Sequence, residues 1–217
     1  MKQTNHPHMY GIENLSAFIL TAIIVVISPG VDTIMVLTRS ISKGKTAGLY
    51  SAIGVSMGLL IHTSAATFGL SLILAKSAFA YSLIKYLGAA YLIYIGYKSI
   101  TAKSAQTELV AKAKSGSNFK MFYTAFLSDV LNPKIAIFFL AFLPQFVNHA
   151  AINSPAPYFI LGSIILLITL IWCTALALLG SKIAVLFNKH KRAEEIMNKT
   201  SGFIFIILGI KVALTEK

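Results

Sequence analysis

The sequence predicts an all-α integral membrane protein with six transmembrane helices in two inverted three-helix repeats, with the first and fourth helices broken. Three observations lead to this fold class. The chain of 217 residues is 56% hydrophobic and only 12% charged, whereas about a quarter of the residues in soluble domains are charged. Six apolar segments approach the ~20 residues that a helix needs to cross a membrane. Two of them contain a capping residue followed by proline, which marks a helix start in the middle of a span.

The six spans are placed by the apolar segments, taken in chain order. The polar N-terminal tail precedes an apolar run far longer than the roughly 7–15 residues of a signal-peptide core, so we expect the first segment to be retained as a membrane helix. The predicted spans lie near Asn14–Ser40, Gly48–Ala75, Tyr81–Ile100, Phe119–Val147, Pro157–Leu186 and Thr200–Leu214.

Orientation follows from the basic residues, which cluster in alternate links. Arg39, Lys43 and Lys45 follow the first segment, and further clusters follow the third and fifth segments. The other links carry little beyond Lys76. By the positive-inside rule the basic links are cytoplasmic, so both termini are predicted to be periplasmic.

The two halves of the chain repeat each other in order. Ser28-Pro29 aligns with Asn132-Pro133, and Gly96-Tyr97-Lys98 aligns with Gly209-Ile210-Lys211. Because each half holds three spans, an odd number, the second half enters the membrane inverted, an arrangement common in secondary transporters.

We therefore predict one transmembrane translocator domain over residues 1–217. A stretch rich in Lys, Ala and Ser separates the repeats and is predicted to be a flexible cytoplasmic linker. The predicted parts are repeat 1 at about 12–101, the linker at about 102–117 and repeat 2 at about 118–217.

Composition also restricts the function classes. The net charge of +12 would suit nucleic acid in a soluble protein, but here the basic links favour the anionic inner surface of a membrane. The single cysteine, Cys173, excludes a disulfide framework or a cysteine metal cluster, and its apolar surroundings predict a small buried side chain. Enzyme motifs such as His-Glu-x-x-His, Gly-x-Ser-x-Gly and the phosphate-binding loop are missing. We predict that the protein is not an enzyme and uses no cofactor or metal.

The two breaks predict a site inside the membrane. Ser28, Pro29 and Gly30 form the first break, and Asn132 with Pro133 forms the second. Backbone groups freed at membrane depth are tolerated only where they face protein or a water-lined cavity. We therefore expect the two breaks to meet near the midplane around a cavity.

Asp32, Asp129 and Lys134 are the ionisable residues deepest in these segments. Each costs roughly 2.5–3.5 kcal/mol at a helix centre, so each needs a partner or a function. Asp32 either caps amides freed at Pro29 or offers a carboxylate to a cationic group or a proton. Lys134 follows a helix start, where the helix dipole favours anions, so it needs an acidic neighbour or the carboxylate of a substrate. Together with Asn132, these residues are predicted to bind a zwitterion.

His62 lies near the middle of the second segment, on a face of small residues that recurs at intervals of four with Gly54 and Gly58. Such a face predicts close packing against a neighbouring helix. Because imidazole changes protonation within the physiological range, His62 is a candidate proton relay. The alternative is a hydrogen bond between helices.

Stretches along nearly the whole chain match one known family, in order and at compatible spacing. They include Pro29-Gly30-Val31-Asp32, Gly58-Leu59-Leu60-Ile61-His62, Leu87-Gly88-Ala89-Ala90-Tyr91-Leu92, Asn132-Pro133-Lys134 and the run from Phe138 to Phe146. On these residues the chain resembles the lysine exporter and homoserine/threonine exporter family of bacterial amino-acid translocators (LysE/RhtB type). The resemblance implies a multi-pass protein of the bacterial inner membrane that exports amino acids or close derivatives, driven by proton antiport. Val31 stands where the family usually has a second proline.

We predict a secondary transporter whose partners are an amino-acid substrate, protons and membrane lipids, with no nucleic acid; a homo-oligomer is compatible with the sequence. The alternative is a cation or metal transporter of a related fold, because a carboxylate at a helix break can ligate a metal ion. A third class, a non-transporting scaffold, leaves the paired breaks without a purpose. The sequence does not decide which amino acid is carried.

Overall fold

The computed structural model describes residues 9–70, 77–101, 117–189 and 191–214. In this part of the chain the secondary structure is helical apart from one isolated bridge between Ile12 and Val147. The α-helices are α1 (Leu15–Ile27), α2 (Val31–Lys43), α3 (Lys45–Ala65), α4 (Ala78–Thr101), α5 (Asn118–Val130), α6 (Pro133–Ile137), α7 (Pro155–Lys189) and α8 (Lys191–Leu214).

Two helices continue beyond their α-helical part. A π-helical turn, Ala66–Leu70, follows α3. After α6 the chain makes a second π-helical turn, Phe138–Phe142, and then a 3-10 turn, Leu143–Phe146. The helical segment Pro133–Phe146 is therefore long enough to continue α5 across a bend.

Both predicted helix breaks are present. The axes of α1 and α2 differ by 51°, and those of α5 and Pro133–Phe146 differ by 44°. Proline causes each break because it has no N–H to donate to the carbonyl four residues earlier. The carbonyls deprived in this way are those of Val25, before Pro29, and of Asp129, before Pro133.

The described helices provide up to five candidate membrane spans. Three single helices are long and apolar enough to cross, and each bent pair adds one more. The single spans are Lys45–Gly69, Phe79–Thr101 and Pro155–Gly180. The count of six spans and the inverted repeat stay predictions, and the predicted linker at 102–117 lies almost entirely outside the described residues.

The last helix starts earlier than the sequence predicted. We expected the sixth span to begin near Thr200 after a basic link, but α8 begins at Lys191. The charged residues of this link are good helix formers. Glu195 accepts a hydrogen bond from Lys199 at 2.6 Å, one turn further on, and a Glu-to-Lys pair at this spacing stabilises a helix.

The link between α2 and α3 is also shorter than expected and consists of Gly44 alone. Its φ of +89° lies in a region that glycine adopts without steric cost. The chain can therefore reverse direction within one residue.

One end of the bundle is joined by Arg39, near the end of α2. Its guanidinium donates hydrogen bonds to Ser51 Oγ at 3.0 Å, to the Met121 carbonyl at 2.6 Å and to Thr124 Oγ1 at 2.8 Å. The end of α2, the start of α3 and the start of α5 therefore lie together, at the end that the sequence predicts to be cytoplasmic.

At the opposite end of the bundle, the backbone just before α1 pairs with the backbone at the end of Pro133–Phe146. The Glu13 amide donates to the Phe146 carbonyl at 2.8 Å, and the Asn148 amide donates to the Gly11 carbonyl at 2.8 Å. Asn148 Nδ2 also donates to Glu13 Oε1 at 2.6 Å. The first and second broken helices are thus tied at both ends of the bundle.

The small-residue face of α3 packs closely against α5, as the sequence predicted. A Cβ on Gly54 would lie 2.9 Å from Ala125 Cβ, and a Cβ on Gly58 would lie 2.8 Å from Asp129 Cβ. Real Cβ atoms do not approach this closely, so α5 can reach this position only because α3 carries glycine here.

Candidate functional site

The two breaks line one cavity. Its empty volume is about 380 Å³, including the part that opens to the outside. The first break contributes Ser28, Gly30 and Asp32, and the second contributes Asp129, Asn132 and Lys134. The four residues that the sequence predicted to bind substrate are therefore brought together, and Pro29 and Pro133 set the bends behind them.

Asn132 connects the two breaks. Its Nδ2 donates to Asp32 Oδ2 at 2.7 Å, and its Oδ1 accepts from the Lys134 amide at 3.0 Å, which caps α6. Gly30 is the N-cap residue of α2, with no side-chain cap. The Asp32 carboxylate thus bonds across to the opposite break, and its role in binding stays a prediction.

Lys134 completes the broken end of α1. Its ammonium donates to the Val25 carbonyl at 2.8 Å and to the Ser28 carbonyl at 3.3 Å, and it lies 5.4 Å from the ring centre of Phe205 on α8. The Val25 carbonyl is the group that Pro29 leaves without a donor. A cation at the C-terminal end of α1 also suits the dipole of that helix. The sequence left open whether Lys134 pairs with an aspartate or with a substrate carboxylate, and within the described residues Lys134 forms no ion pair.

At the second break, His62 contacts the carbonyl that proline leaves without a donor, as Lys134 does at the first break. Its Nε2 lies 3.0 Å from the Asp129 carbonyl, which is the group that Pro133 leaves without its usual donor, and the Asn132 amide also donates there at 2.9 Å. Because a carbonyl can only accept, Nε2 carries the proton. The ring stacks on Phe139, with 5.8 Å between centroids. The interhelical hydrogen bond is thus observed, and the proton relay stays a prediction.

Several buried polar atoms at the cavity have no hydrogen-bond partner among the described residues. They are both carboxylate oxygens of Asp129 and the Oδ1 of Asp32. Asp129 is fully buried, with 0% of its surface exposed. Buried polar atoms are almost always satisfied in proteins, so these carboxylates indicate a place for a ligand or a proton.

A face of α7 forms another wall that sequence reasoning missed. Thr169, Trp172 and Cys173 line the cavity, and Thr169 Oγ1 and Trp172 Nε1 are also buried without a partner in the described part of the chain. Cys173 is buried, as predicted. The spacing of three and four residues, which places side chains on one helix face, together with the single tryptophan, was the signal available in the sequence.

Gly58 offers a direct test of the packing behind Asp129. A Cβ at this position would lie 2.5 Å from Asp129 Oδ2, so we expect Gly58→Ala to displace the carboxylate and to destabilise the protein by about 1–3 kcal/mol. Gly69→Ala is the matched control, because a Cβ there meets nothing within 4 Å. Thermal unfolding of the two purified variants checks the expectation, and equal stability would contradict it.

The fold and the cavity define a class of protein. Buried carboxylates within membrane helices mark substrate and ion pathways, and paired broken helices are a feature of secondary transporters. In the described residues, no group of three or more His, Cys, Asp or Glu side chains could hold a metal ion. These features are those of a membrane transport protein.

The chain belongs to the LysE type translocator family, whose model matches residues 23–216. Proteins of this family are transporters and not enzymes. The chain is 37% identical to the uncharacterized membrane protein YrhP of Bacillus subtilis (strain 168), over 94% of this chain and 100% of that protein.

Two named relatives are efflux proteins of Salmonella typhimurium (strain LT2). The leucine efflux protein is 28% identical, over 95% of this chain and 98% of the relative. The homoserine/homoserine lactone efflux protein is 31% identical, over 91% and 94% respectively. No solved structure gives a significant match.

Proposed function

We propose that this chain is a secondary transporter that exports amino acids or close derivatives across the bacterial inner membrane in exchange for protons. The observation that carries the proposal is the Asp129 carboxylate, which lines the cavity, is fully buried and has no hydrogen-bond partner among the described residues. An ionised carboxylate in this position is costly unless a cation pairs with it. The ammonium group of a substrate and a proton each supply one positive charge, so the two compete for the same place.

This competition is what antiport requires. With Asp32 and Asp129 ionised and Lys134 charged, the three side chains leave one negative charge for an incoming cation. The proton is taken up from the outside, released to the cytoplasm, and replaced there by the ammonium group of the substrate. The return step then carries the substrate out.

The lining favours a substrate with an uncharged side chain. Apart from its charged and polar residues, the cavity is lined by aliphatic side chains. A charged substrate side chain that lay against them would have no partner. The named relatives export leucine and homoserine or its lactone, and each of these compounds has an ammonium group and an uncharged side chain. The aliphatic wall consists of Val25, Val26, Val55, Leu59 and Ile135.

Rocking of two inverted halves about the cavity is the proposed route of alternating access. The contacts between α4 and α8 support it. A Cβ on Gly96 would lie 2.6 Å from the Gly202 carbonyl, and a Cβ on Gly209 would lie 2.8 Å from the Ala89 carbonyl. In the predicted repeat Gly96 corresponds to Gly209 and Ala89 to Gly202, so each contact is the counterpart of the other. The periplasmic position of both termini belongs to this proposal.

The experiment is a panel of the twenty amino acids tested for uptake into inverted membrane vesicles, which corresponds to export from the cell. We expect accumulation of leucine, homoserine or another amino acid with an uncharged side chain, dependent on a proton gradient, with lysine and glutamate excluded. Vesicles without this protein are the control. Accumulation that is unaffected by collapse of the proton gradient would contradict antiport, and the absence of accumulation of any amino acid would contradict the substrate class.

The metal-transporter alternative is not favoured. A calcium ion takes six or more oxygen ligands, and a magnesium ion requires six ligands in octahedral geometry. The cavity offers the carboxylates of Asp32 and Asp129, and the described residues contain no third acidic or histidine ligand grouped with them. Uptake that requires no added metal is the expected result.

A further inference from the structure

We infer that Thr169 and Trp172 on α7 bind the carboxylate group of the substrate, a role that the sequence assigned to Lys134. The inference rests on the proposed function, since it concerns how an amino acid lies in the same cavity. It divides the cavity into a wall of hydrogen-bond acceptors and a wall of hydrogen-bond donors. The contacts of Lys134 and the chemistry of the unpartnered atoms lead to this division.

Most of the hydrogen-bonding capacity of the Lys134 ammonium is already used. Of its three N–H groups, two reach carbonyls at the end of α1, those of Val25 and Ser28, and the ring of Phe205 lies 5.4 Å away. At most one N–H is left for a substrate. The charge of Lys134 still attracts an anion, but Lys134 cannot donate to both oxygens of a carboxylate without releasing one of its bonds to the first break.

The two unpartnered groups on α7 can both donate. The Trp172 Nε1–H can only donate, and a threonine hydroxyl can donate or accept. Both atoms are buried without a partner in the described residues, and the two residues that carry them line the cavity. Thr169 is 5% exposed. A group that satisfies Trp172 must therefore bring an acceptor. An ammonium group cannot do this, whereas a carboxylate can accept from both side chains at once.

The unpartnered atoms on the opposite wall require a hydrogen-bond donor instead of an acceptor. Ionised carboxylates only accept, so the free oxygens of Asp32 and Asp129 require a donor, which an ammonium group supplies. An α-amino acid carries one donor group and one acceptor group on the same carbon atom. The cavity therefore orients the substrate with its ammonium group toward the two aspartates and its carboxylate toward α7.

Trp172 allows this orientation to be measured directly, because it is the single tryptophan of the chain. The purified full-length protein is titrated with the amino acids other than tryptophan while tryptophan emission is recorded. L-leucine and L-homoserine are each compared with an analogue that lacks the carboxylate. These analogues are the corresponding amino alcohols, L-leucinol and L-homoserinol. We expect an amino acid to change the emission at a concentration at least about tenfold lower than its analogue, the difference that one good hydrogen bond to a charged group makes.

Variants of Thr169 keep the test specific. Thr169→Val removes the hydroxyl at nearly constant volume and is expected to bring the amino acid and its analogue within about threefold of each other. Thr169→Ser keeps the hydroxyl and is expected to retain the difference. Thr174→Val is the matched control, since it makes the same change on the same helix at a residue outside the described cavity lining. A purely structural effect would weaken both ligands equally and leave their ratio unchanged.

The outcomes separate this inference from the proposed function. Equal responses to an amino acid and its analogue, the same ratio in Thr169→Val and Thr174→Val, or no response to any amino acid tested overturns the inference. A carboxylate-dependent response that requires Thr169, in a protein that moves no amino acid across vesicles, supports the inference and contradicts the proposed transport.

Discussion

Asp129→Asn is expected to abolish proton-driven export while leaving the protein folded. Asparagine has nearly the same shape, so the packing against Gly58 is retained, but it cannot bind a proton or pair with an ammonium group. Truncating one partner of a buried charge pair costs roughly 2–5 kcal/mol, which corresponds to a loss in affinity on the order of 30-fold to 4,000-fold. The measurement is uptake into inverted vesicles with a proton gradient, together with thermal unfolding of the purified variant.

Glu13→Gln is the matched control for this variant. It removes a negative charge from the end of the bundle, where Glu13 accepts a hydrogen bond from Asn148, and a glutamine oxygen can still accept that bond. We expect Glu13→Gln to transport normally. If Asp129→Asn still exported its substrate at an unchanged rate under a proton gradient, Asp129 would not be part of the transport site. The Tm of Asp129→Asn should be unchanged or higher, because the variant no longer buries an unpaired charge.

Lys134→Met is expected to lower both stability and transport. The long apolar side chain fills the same volume, but the carbonyls of Val25 and Ser28 lose their donor. Leaving a buried acceptor unsatisfied costs about 1–3 kcal/mol for each group, so the free energy of unfolding should fall by about 2–6 kcal/mol for the two carbonyls. Thermal unfolding in detergent measures the change.

Lys120→Met on α5 serves as the comparison, since Lys120 is exposed at the start of that helix. It makes the same substitution without removing a donor from the first break, and we expect its Tm to match that of the unmodified protein. If Lys134→Met unfolded at the same temperature as Lys120→Met, Lys134 would not brace α1. Asp129→Asn and Lys134→Met thus distinguish a role in transport from a role in stability. The first is expected to lose transport alone, and the second to lose stability as well.

The breaks could be predicted from the sequence because their cause is local. Proline removes a hydrogen-bond donor wherever it stands in a helix, so Pro29 and Pro133 mark the two breaks without knowledge of the fold. Asp32, Asp129 and Lys134 could be selected for a similar reason, since an ionisable side chain in a long apolar segment is costly in any arrangement.

The partners of those residues could not be predicted, because they depend on how the helices pack. Lys134 reaches a carbonyl 109 residues earlier in the chain. Pro29 marks the Val25 carbonyl as a group that lacks its usual donor, but nothing in the sequence indicates that Lys134 supplies the replacement. Thr169 and Trp172 were missed for a related reason. Threonine and tryptophan in membrane helices usually find partners within the helix or at the membrane surface, and only the packing of α7 leaves both without one in the described residues. The start of α8 at Lys191 was missed because charged residues were interpreted as a link.

The exchange of donors between the breaks sets the order in which the protein can mature during synthesis. The first half leaves the ribosome with the Val25 carbonyl unsatisfied, because Lys134 has not yet been translated. His62 is already in the membrane when Asp129 arrives, so the second break can be completed as soon as it forms. The first break therefore lacks this donor until the second half of the chain has inserted beside it.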